Sequence, residues 1–166
     1  MPHPGARVIR PAAPGDRPVV SALAVAAGMF PPEDFSVSDG LMADYFAGQR
    51  ERGHGCLIDE EAGEVLGVAY FLPKPATNGT WELLMIAVRP DQQGQGRGSR
   101  LLDHMERELR AQGARLVLVE TSGLPDYART RAFYTRCGYH EEARVRDYYE
   151  PGADMVLFRK ALLSPP

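Results

Sequence analysis

Three glycines recur at every second position in the segment Gln93–Gly98, whose sequence is QGQGRG. An apolar run from Leu83 to Val88 precedes this segment, and a helical pattern begins near Ser99. Because glycine lacks a Cβ, its backbone can take positive φ and turn several N–H groups toward one anion, and a helix N-terminus adds its own unpaired donors. The pattern predicts a strand, a phosphate-binding loop and a helix in succession.

Strand and helix patterns alternate on both sides of this loop. Apolar runs and turn signals predict strands at 7–10, 56–59, 65–72, 80–88, 116–120, 143–149 and 155–160. Apolar periodicity and capping residues predict helices at 17–27 and 99–112, after the segment 31–34, and from Asp126 to Cys137. A strand, a helix and a strand in succession from 80 to 120 imply a parallel pair, so we expect an α/β fold with a mixed central sheet of about six to seven strands flanked by helices.

Composition limits the classes of protein that this chain can represent. Its 166 residues, 44% of them hydrophobic and 25% charged, fit a single domain over 1–166 with a core of about 6–162. The net charge is −3 and the 19 Lys and Arg residues are scattered, which disfavours nucleic acid as a partner. No apolar leader or membrane-length run is present, so we expect a cytoplasmic protein with no membrane partner. The spacing of Cys56 and Cys137 matches no metal site, and we predict none.

Three kinds of glycine loop compete to explain the segment Gln93–Gly98. A Walker A loop needs Gly-Lys followed by Ser or Thr, and this chain has Gly98-Ser99-Arg100 instead. A dinucleotide fingerprint places its first glycine at the end of the strand, whereas residues 89–93 intervene here. The third pattern, Gln/Arg-x-x-Gly-x-Gly/Ala, is matched position by position by Gln93, Gly96 and Gly98.

Two stretches together resemble a known family. The stretch Leu84–Leu102 resembles the acetyl-CoA-binding motif of the GNAT superfamily of N-acetyltransferases, and Thr130–Tyr139 resembles the second motif of that family, in which an aromatic-Tyr pair precedes Gly-Phe or Gly-Tyr. The resemblance implies a GNAT-like fold whose parallel strand pair splays around acetyl-CoA. No histidine lies beside a Ser or Cys nucleophile in a pattern typical of covalent catalysis, so we expect direct transfer in a ternary complex.

The resemblance also implies where acetyl-CoA binds. The pyrophosphate would be held without a metal by backbone N–H groups and the dipole of the following helix. The pantetheine arm would pair with the backbone of the preceding strand, although plain core packing explains that apolar strand equally well. The predicted cofactor-binding residues are Ile86, Ala87, Val88, Gln93, Gly94, Gln95, Gly96, Arg97, Gly98 and Ser99. The side chain of Arg97, like those of Arg129 and Arg131, either meets the phosphates or is solvated.

A general base matters because an amine with a pKa of about 10.4 is neutral in only about one molecule in 2,500 at pH 7. The candidate is Glu82, which lies in the otherwise apolar strand from Trp81 to Val88, where desolvation raises a carboxyl pKa. It occupies a position where some members of the family place a catalytic glutamate. An ion pair with a nearby arginine at a strand edge is the equally weighted alternative. Glu120, at the end of the neighbouring strand, is the rival carboxylate.

Tyr134 matches the tyrosine that faces the departing thiolate and acts as general acid in the family. A phenol can donate a hydrogen bond or a proton to that sulfur. Helical spacing places Tyr134 on the side of Tyr127 and Thr130, and is expected to turn Phe133 and Cys137 to the core. The family often has Asn where this chain has Tyr127. A purely packing role for Tyr134 is the alternative.

The acceptor is expected to be the primary amine of a small molecule, with an amino acid or a similar polyfunctional amine as the first hypothesis. Its pocket would lie between the segment Phe30–Phe46 and the hairpin that contains Asp147 and Asp154. A protein N-terminus or lysine is an alternative acceptor, and a non-catalytic acyl-CoA sensor is an alternative function. A homodimer is left open.

Overall fold

The computed structural model describes residues 5–29 and 35–163. Its strands are β1 (Arg7–Pro11), β2 (Gly55–Glu61), β3 (Glu64–Pro73), β4 (Thr80–Val88), β5 (Leu116–Ser122), β6 (His140–Glu150) and β7 (Ala153–Ala161). Its α-helices are α1 (Arg17–Ala26), α2 (Phe35–Asp44), α3 (Arg97–Ala111) and α4 (Ala128–Arg136). A π-helical turn, Tyr45–Gln49, follows α2, and 3₁₀ turns occupy Pro14–Asp16, Pro90–Gln92 and Pro125–Tyr127.

The strands form one sheet of seven strands in the order β1-β2-β3-β4-β5-β7-β6. The β4–β5 pair is parallel, because α3 carries the chain from one strand back to the start of the next, whereas β5–β7 and β6–β7 are antiparallel. The parallel register runs from Thr80↔Leu116 to Glu82↔Leu118, so the residues of β4 up to Val88 lie beyond its last pair. The predicted mixed α/β sheet is confirmed.

Contacts group the chain into two compact units, one drawn from Met1–Leu72 and Met85–Arg107, the other from Pro73–Leu84 and Glu108–Pro166. In the first unit, apolar side chains of α1, α2, β2 and β3 form the core. Its fully buried members include Val20, Met42, Ile58, Val68 and Tyr70. This burial is the principal stabilising contribution to the first unit.

The core of the second unit lies between β5, β7 and α4. Val117, Val119 and Val156 are buried along the strands, and Tyr134 and Phe158 pack with ring centroids 5.6 Å apart. β6 forms the edge of the sheet, and each of its residues is exposed. The second unit therefore has a strongly buried centre and an open edge.

The start of α3 differs from the sequence prediction. α3 begins at Arg97 and not at Ser99, so the last residues of the predicted loop are already helical. The predicted start of the second helix, residues 31–34, lies outside the described residues, as does Phe30. Within the described part of the chain, no helix is both long enough and apolar enough to cross a membrane.

Candidate active site

Glu82 lies in β4 with its side chain turned to the less buried face of the strand. Trp81 and Leu83 on either side are buried, whereas 13% of the Glu82 side chain is exposed. It accepts a hydrogen bond of 3.0 Å from Nζ of Lys74, which is itself 40% exposed. The ion pair expected as the alternative for Glu82 is thus present, but the expected arginine partner was wrong, because the partner is Lys74. A catalytic role for Glu82 stays a prediction.

Glu120 belongs to the same electrostatic cluster as Glu82 and Lys74. Partial burial raises the pKa of Glu120, the negative charge of Glu82 raises it further, and the positive charge of Lys74 lowers it. The two candidate bases therefore lie close enough for the charge of Glu82 to act on Glu120, and the pKa of Glu120 lies above that of an ordinary glutamate.

A wide bulge in β6 supplies aromatic side chains to this cluster. Between the pairs Val145↔Met155 and Glu150↔Ala153, the residues 146–149 of β6 lie opposite Asp154 alone. Asp147 within the bulge has a φ of 55°, its backbone N–H donates to Oδ1 of Asp154 at 3.1 Å, and its own Oδ1 accepts from the Gly152 N–H at 2.8 Å. Left-handed backbone is costly for a non-glycine residue, and these hydrogen bonds offset the strain.

The bulge presents two adjacent tyrosine rings to solvent. Tyr148 and Tyr149 are about half exposed, and their rings meet edge to face with centroids 4.9 Å apart. Partial burial and the charge of Glu120 raise the pKa of Tyr149. The sequence predicted a plain closing hairpin here and missed the bulge, for which Asp147, Gly152 and Asp154 were the only visible signals.

Tyr134 is the buried residue of α4. Only 5% of its surface is exposed, and its ring contacts those of Phe133, Tyr139 and Phe158. Burial raises the pKa of Tyr134 above its usual value, so the phenol stays protonated at neutral pH. The phenol ring is therefore held in place by ring packing.

The expectation that Phe133 and Cys137 face the core was wrong. Both are only half-buried, whereas Tyr134 is buried. The reason is that α4 packs toward Tyr139 and Phe158, and this contact takes the face that carries Tyr134. Tyr127 ends the preceding 3₁₀ turn and is exposed.

Two of the three glycines in the loop adopt the left-handed backbone that the pattern predicted. Gly94 has a φ of 74° and Gly96 a φ of 81°, and open space surrounds the position of a Cβ on Gly96. Glycine is required at Gly96 by backbone conformation, not by crowding. Gly98 differs, because it lies inside the first turn of α3.

The start of α3 presents backbone donors beside these glycines. The N–H of Arg100 bonds to the Gly96 carbonyl at 3.1 Å, so the N–H groups of Arg97 and Gly98 precede that first bond of the helix and have no partner within it. The Gln93 side chain donates to the Val88 carbonyl at 3.0 Å and ties the loop to the end of β4. Residues Gln93 to Gly96 are exposed, which leaves their backbone accessible to an anion.

The Arg97 side chain lies away from solvent. Its guanidinium donates to Asp59 at 2.9 Å and to Glu61, with a longer bond of 3.3 Å to the Gln92 side chain. The sequence analysis expected this side chain either to meet the phosphates or to be solvated, and solvation was wrong because the side chain is 1% exposed. It did not identify the partner. The available signal was Asp59, a charge at the end of the otherwise apolar run CLID.

The residues predicted to line the pantetheine arm alternate between buried and half-buried positions along β4. Ala87 is buried, and Ile86 and Val88 are half-buried on the same face as Glu82. No three His, Cys, Asp or Glu side chains of the described residues group as a metal site would require. The geometry thus offers an anion cradle of glycines and helix donors, and a cluster of two carboxylates and a lysine.

A family model described as the acetyltransferase (GNAT) family matches residues 23–139. The chain belongs to the GNAT acetyltransferase family. Members of this family are acyltransferases that use acetyl-CoA, so the enzyme class and the cosubstrate expected from the sequence are confirmed. The predicted GNAT fold is confirmed as well.

Two solved structures share the fold of this GNAT protein, and a curated relative is similar to it in sequence. A GNAT-family structure from Desulfovibrio desulfuricans is 33% identical and has a TM-score of 0.90, covering 95% of this chain and 100% of its own. A Salmonella typhimurium structure solved with its cofactor acetyl-CoA is 22% identical, with a TM-score of 0.79 and 96% of each chain covered. An amino-acid acetyltransferase from Ralstonia nicotianae is 33% identical over 104 residues, which span 62% of this chain and 23% of that protein. The chain therefore matches about a quarter of the length of that curated relative.

Proposed function

We propose that this GNAT protein transfers the acetyl group of acetyl-CoA to the primary amine of a small molecule, by direct attack in a ternary complex. The observation that carries the proposal is the cluster of Lys74, Glu82 and Glu120, which joins one cation and two carboxylates in the second unit. Such a cluster can bind an ammonium group, remove its proton and still attract an anionic group on the same acceptor.

The donor is bound by the first unit. The pyrophosphate of acetyl-CoA accepts hydrogen bonds from the backbone of the loop Gln93–Gly96 and from the N–H groups at the start of α3, where the helix dipole also favours an anion. The pantetheine arm follows the backbone of Ile86 to Val88, which lies beyond the last parallel pair of β4. The positive φ of Gly94 and Gly96 and the exposure of this loop support the assignment.

Transfer begins when a carboxylate accepts a proton from the bound ammonium group of the acceptor. The neutral amine nitrogen attacks the thioester carbonyl and forms the new C–N bond, and the electron pair of the breaking C–S bond goes to sulfur. Glu82 is the proposed base, directly or through a water. Glu120 is the second candidate, because its raised pKa brings it closer to the pKa that suits a base at neutral pH.

Tyr134 is the proposed general acid. Its protonated phenol donates to the sulfur as negative charge develops there, and the phenolate is reprotonated by the proton that the acylated nitrogen then loses. The products are the acetamide, free coenzyme A and the one proton held by the carboxylate base. The raised pKa of Tyr134 keeps the proton on the phenol until the thiolate forms. Covalent catalysis through Cys56 is not needed, and burial raises the pKa of that thiol to about 12, which leaves it unreactive.

An amino acid or a similar polyfunctional amine is the proposed acceptor class. The ammonium group of a zwitterion suits the carboxylate side of the cluster, and its carboxylate suits Lys74, whose ammonium has N–H groups beyond the one donated to Glu82. The name of the Ralstonia nicotianae relative is consistent with this class.

A protein N-terminus is the second candidate acceptor, and the exposed edge strand β6 is the observation that favours it. An extended peptide can pair with such an edge and present its α-amine. A non-catalytic acyl-CoA sensor would keep the glycine loop and would not need the carboxylate cluster.

The deciding experiment measures thiol release from acetyl-CoA with a panel of amino acids, amino acid amides, polyamines and short peptides. We expect turnover with small amines, and a loss of roughly 10²-fold or more in kcat for Glu82→Gln or Tyr134→Phe. Binding of acetyl-CoA without thiol release for any acceptor would instead identify a sensor. Turnover limited to peptides would favour the protein acceptor.

A further inference from the structure

The Arg97–Asp59 ion pair connects the first residue of α3 to β2, the second strand of the sheet. Both side chains are 1% exposed, and Nη1 of Arg97 lies 2.9 Å from Oδ2 of Asp59. Glu61, two residues further along β2, accepts from the second guanidinium nitrogen. The Gln92 side chain accepts from Nε, so the same guanidinium also holds the 3₁₀ turn that begins the loop.

This arrangement is unfavourable on general grounds, which suggests that it serves a purpose beyond stability. A positive side chain at a helix N-terminus opposes the helix dipole, and a buried ion pair gives back little free energy after desolvation. In addition, Oδ1 of Asp59 is buried with no hydrogen-bond partner among the described residues. A pair of apolar side chains would fill the same space at less cost.

The absence of a side chain at Gly67 lets α3 pack closely on β3 beside Asp59. A Cβ on Gly67, which pairs with Asp59 across the sheet, would lie 3.0 Å from a methyl carbon of Leu101 and 3.4 Å from the Asp59 Cβ. The β2–β3 register shifts directly after this pair, and the Leu66 carbonyl at the shift accepts from the Arg89 N–H at 2.9 Å. β3 thereby holds the chain where it leaves β4 for the loop.

We propose that the Arg97–Asp59 pair is a positioning element for the coenzyme A pyrophosphate, which fixes the first turn of α3 so that its N–H groups and those of the glycine loop converge on one anion. The Arg97 side chain acts from behind the loop and contacts no phosphate. This inference rests on the proposal that the loop binds acetyl-CoA. It predicts that the pair affects the affinity for pyrophosphate and leaves the affinity for the pantetheine arm unchanged.

The sign of the Asp59→Asn effect separates positioning from simple electrostatics. Removing a carboxylate near an anion site would tighten anion binding if charge alone mattered. If Asp59 positions Arg97, its loss weakens binding, because the first turn of α3 is no longer fixed. The Arg107–Asp103 pair, which lies on the exposed side of the same helix at 3.6 Å, provides the control variants Arg107→Met and Asp103→Asn.

The test measures dissociation constants of coenzyme A and of pantetheine for the full chain by calorimetry, and kcat/KM for acetyl-CoA and S-acetylpantetheine. For Asp59→Asn and Arg97→Met we expect at least 10-fold weaker coenzyme A binding, with pantetheine constants within twofold of the parent protein. The control variants should bind both ligands as the parent does. The double variant Asp59→Leu/Arg97→Met fills the same space with apolar side chains. It should fold with a denaturation midpoint near that of the parent protein. Its coenzyme A binding should still be at least 10-fold weaker than that of the parent.

Three results would overturn the proposal. Tighter coenzyme A binding by Asp59→Asn would show an electrostatic effect, and equal losses for coenzyme A and pantetheine would show a general structural role. Parent-like coenzyme A affinity in the folded double variant would show that the pair only packs. If the parent protein itself bound no coenzyme A, the proposed function would fail, which is a different outcome from any of these.

Discussion

The Lys74 ammonium and the Glu82 carboxylate are joined by a hydrogen bond of 3.0 Å. Nearby Glu120 responds to both charges, because Glu82 raises its pKa and Lys74 lowers it. Lys74 therefore contacts Glu82 and its charge also acts on Glu120. The base of the proposed reaction is the carboxylate that accepts a proton from the ammonium group of the acceptor.

Exchange of each carboxylate for its amide should identify the base. We expect Glu82→Gln to lower kcat by roughly 10²- to 10⁴-fold, the range for loss of a general base, and Glu120→Gln to have a smaller effect on kcat and to raise KM for the amine. Steady-state thiol release at saturating acetyl-CoA measures both. The reverse order of effects would assign the base to Glu120, and Glu108→Gln on α3 is a control for the loss of a carboxylate outside the cluster.

Removal of the cation should change the protonation of Glu120. Since Lys74 lowers the pKa of Glu120, we expect Lys74→Met to raise that pKa further, so that Glu120 becomes deprotonated at higher pH than in the parent. Carbon-detected NMR titration of the glutamate carboxyls can follow this shift. Arg107→Met, which removes an exposed cation elsewhere, should leave the titration of Glu120 unchanged.

Loss of the Tyr134 hydroxyl should affect chemistry and spare donor binding. Tyr134→Phe keeps the ring that packs on Tyr139 and Phe158, so we expect the fold to persist and KM for acetyl-CoA to change by about twofold at most, while kcat falls roughly 10²-fold. Tyr139→Phe removes a hydroxyl from the neighbouring buried tyrosine and is the matched control. Equal kcat values for the two variants would limit Tyr134 to packing.

The left-handed backbone of Gly96 predicts a specific cost for a side chain there. We expect Gly96→Ala to cost about 1–2 kcal/mol, either as lower stability or as a distorted loop with weaker coenzyme A binding. Gly40→Ala within α2 is the control, because a Cβ there meets nothing within 4 Å and a helical Gly→Ala exchange stabilises by about 0.5–1 kcal/mol. Denaturant unfolding and calorimetry measure the two effects, and parent-like behaviour of Gly96→Ala would contradict the prediction.

Acid sensitivity of the fold should depend on Asp16. Hydrogen bonds of 2.7 and 2.9 Å from Arg10 hold the pKa of Asp16 below its usual value. A carboxyl whose pKa is lower in the folded state stabilises above its unfolded pKa and loses that contribution as pH falls through the folded pKa. We therefore expect the free energy of unfolding to decline with acidification less steeply in Asp16→Asn than in the parent protein. Identical slopes would show that this ion pair does not contribute.

Patterns that depend on local chemistry were predictable from the sequence. The span of β4 from Thr80 to Val88 was predicted to the residue, and positive φ at Gly94 and Gly96 followed from the loop pattern. The contact that buries Arg97 was not predictable, because Asp59 lies 38 residues away and a charged residue in a glycine loop ordinarily suggests a ligand. The bulge of β6 was missed for a similar reason, since Asp147 and Asp154 act only once the hairpin has formed.

Other expectations stay predictions. They include the single domain over 1–166, the residues assigned to catalysis and cofactor binding, the small-molecule acceptor, the homodimer and the cytoplasmic location. The site residues, the acceptor and the homodimer depend on bound partners, and the cytoplasmic location depends on the intact cell. Kinetics with defined acceptors and the calorimetric series are the measurements that address the site.

The bulge in β6 can change in sequence without a change in the pairing of β6 and β7. Residues 146–149 face a single residue of β7, so substitutions or insertions there leave the strand pairs on either side in register. Exposed positions such as Tyr148 and Tyr149 can therefore change without a change in the glycine loop. Under the proposed function, substitutions in the bulge would alter acceptor preference and leave donor binding intact.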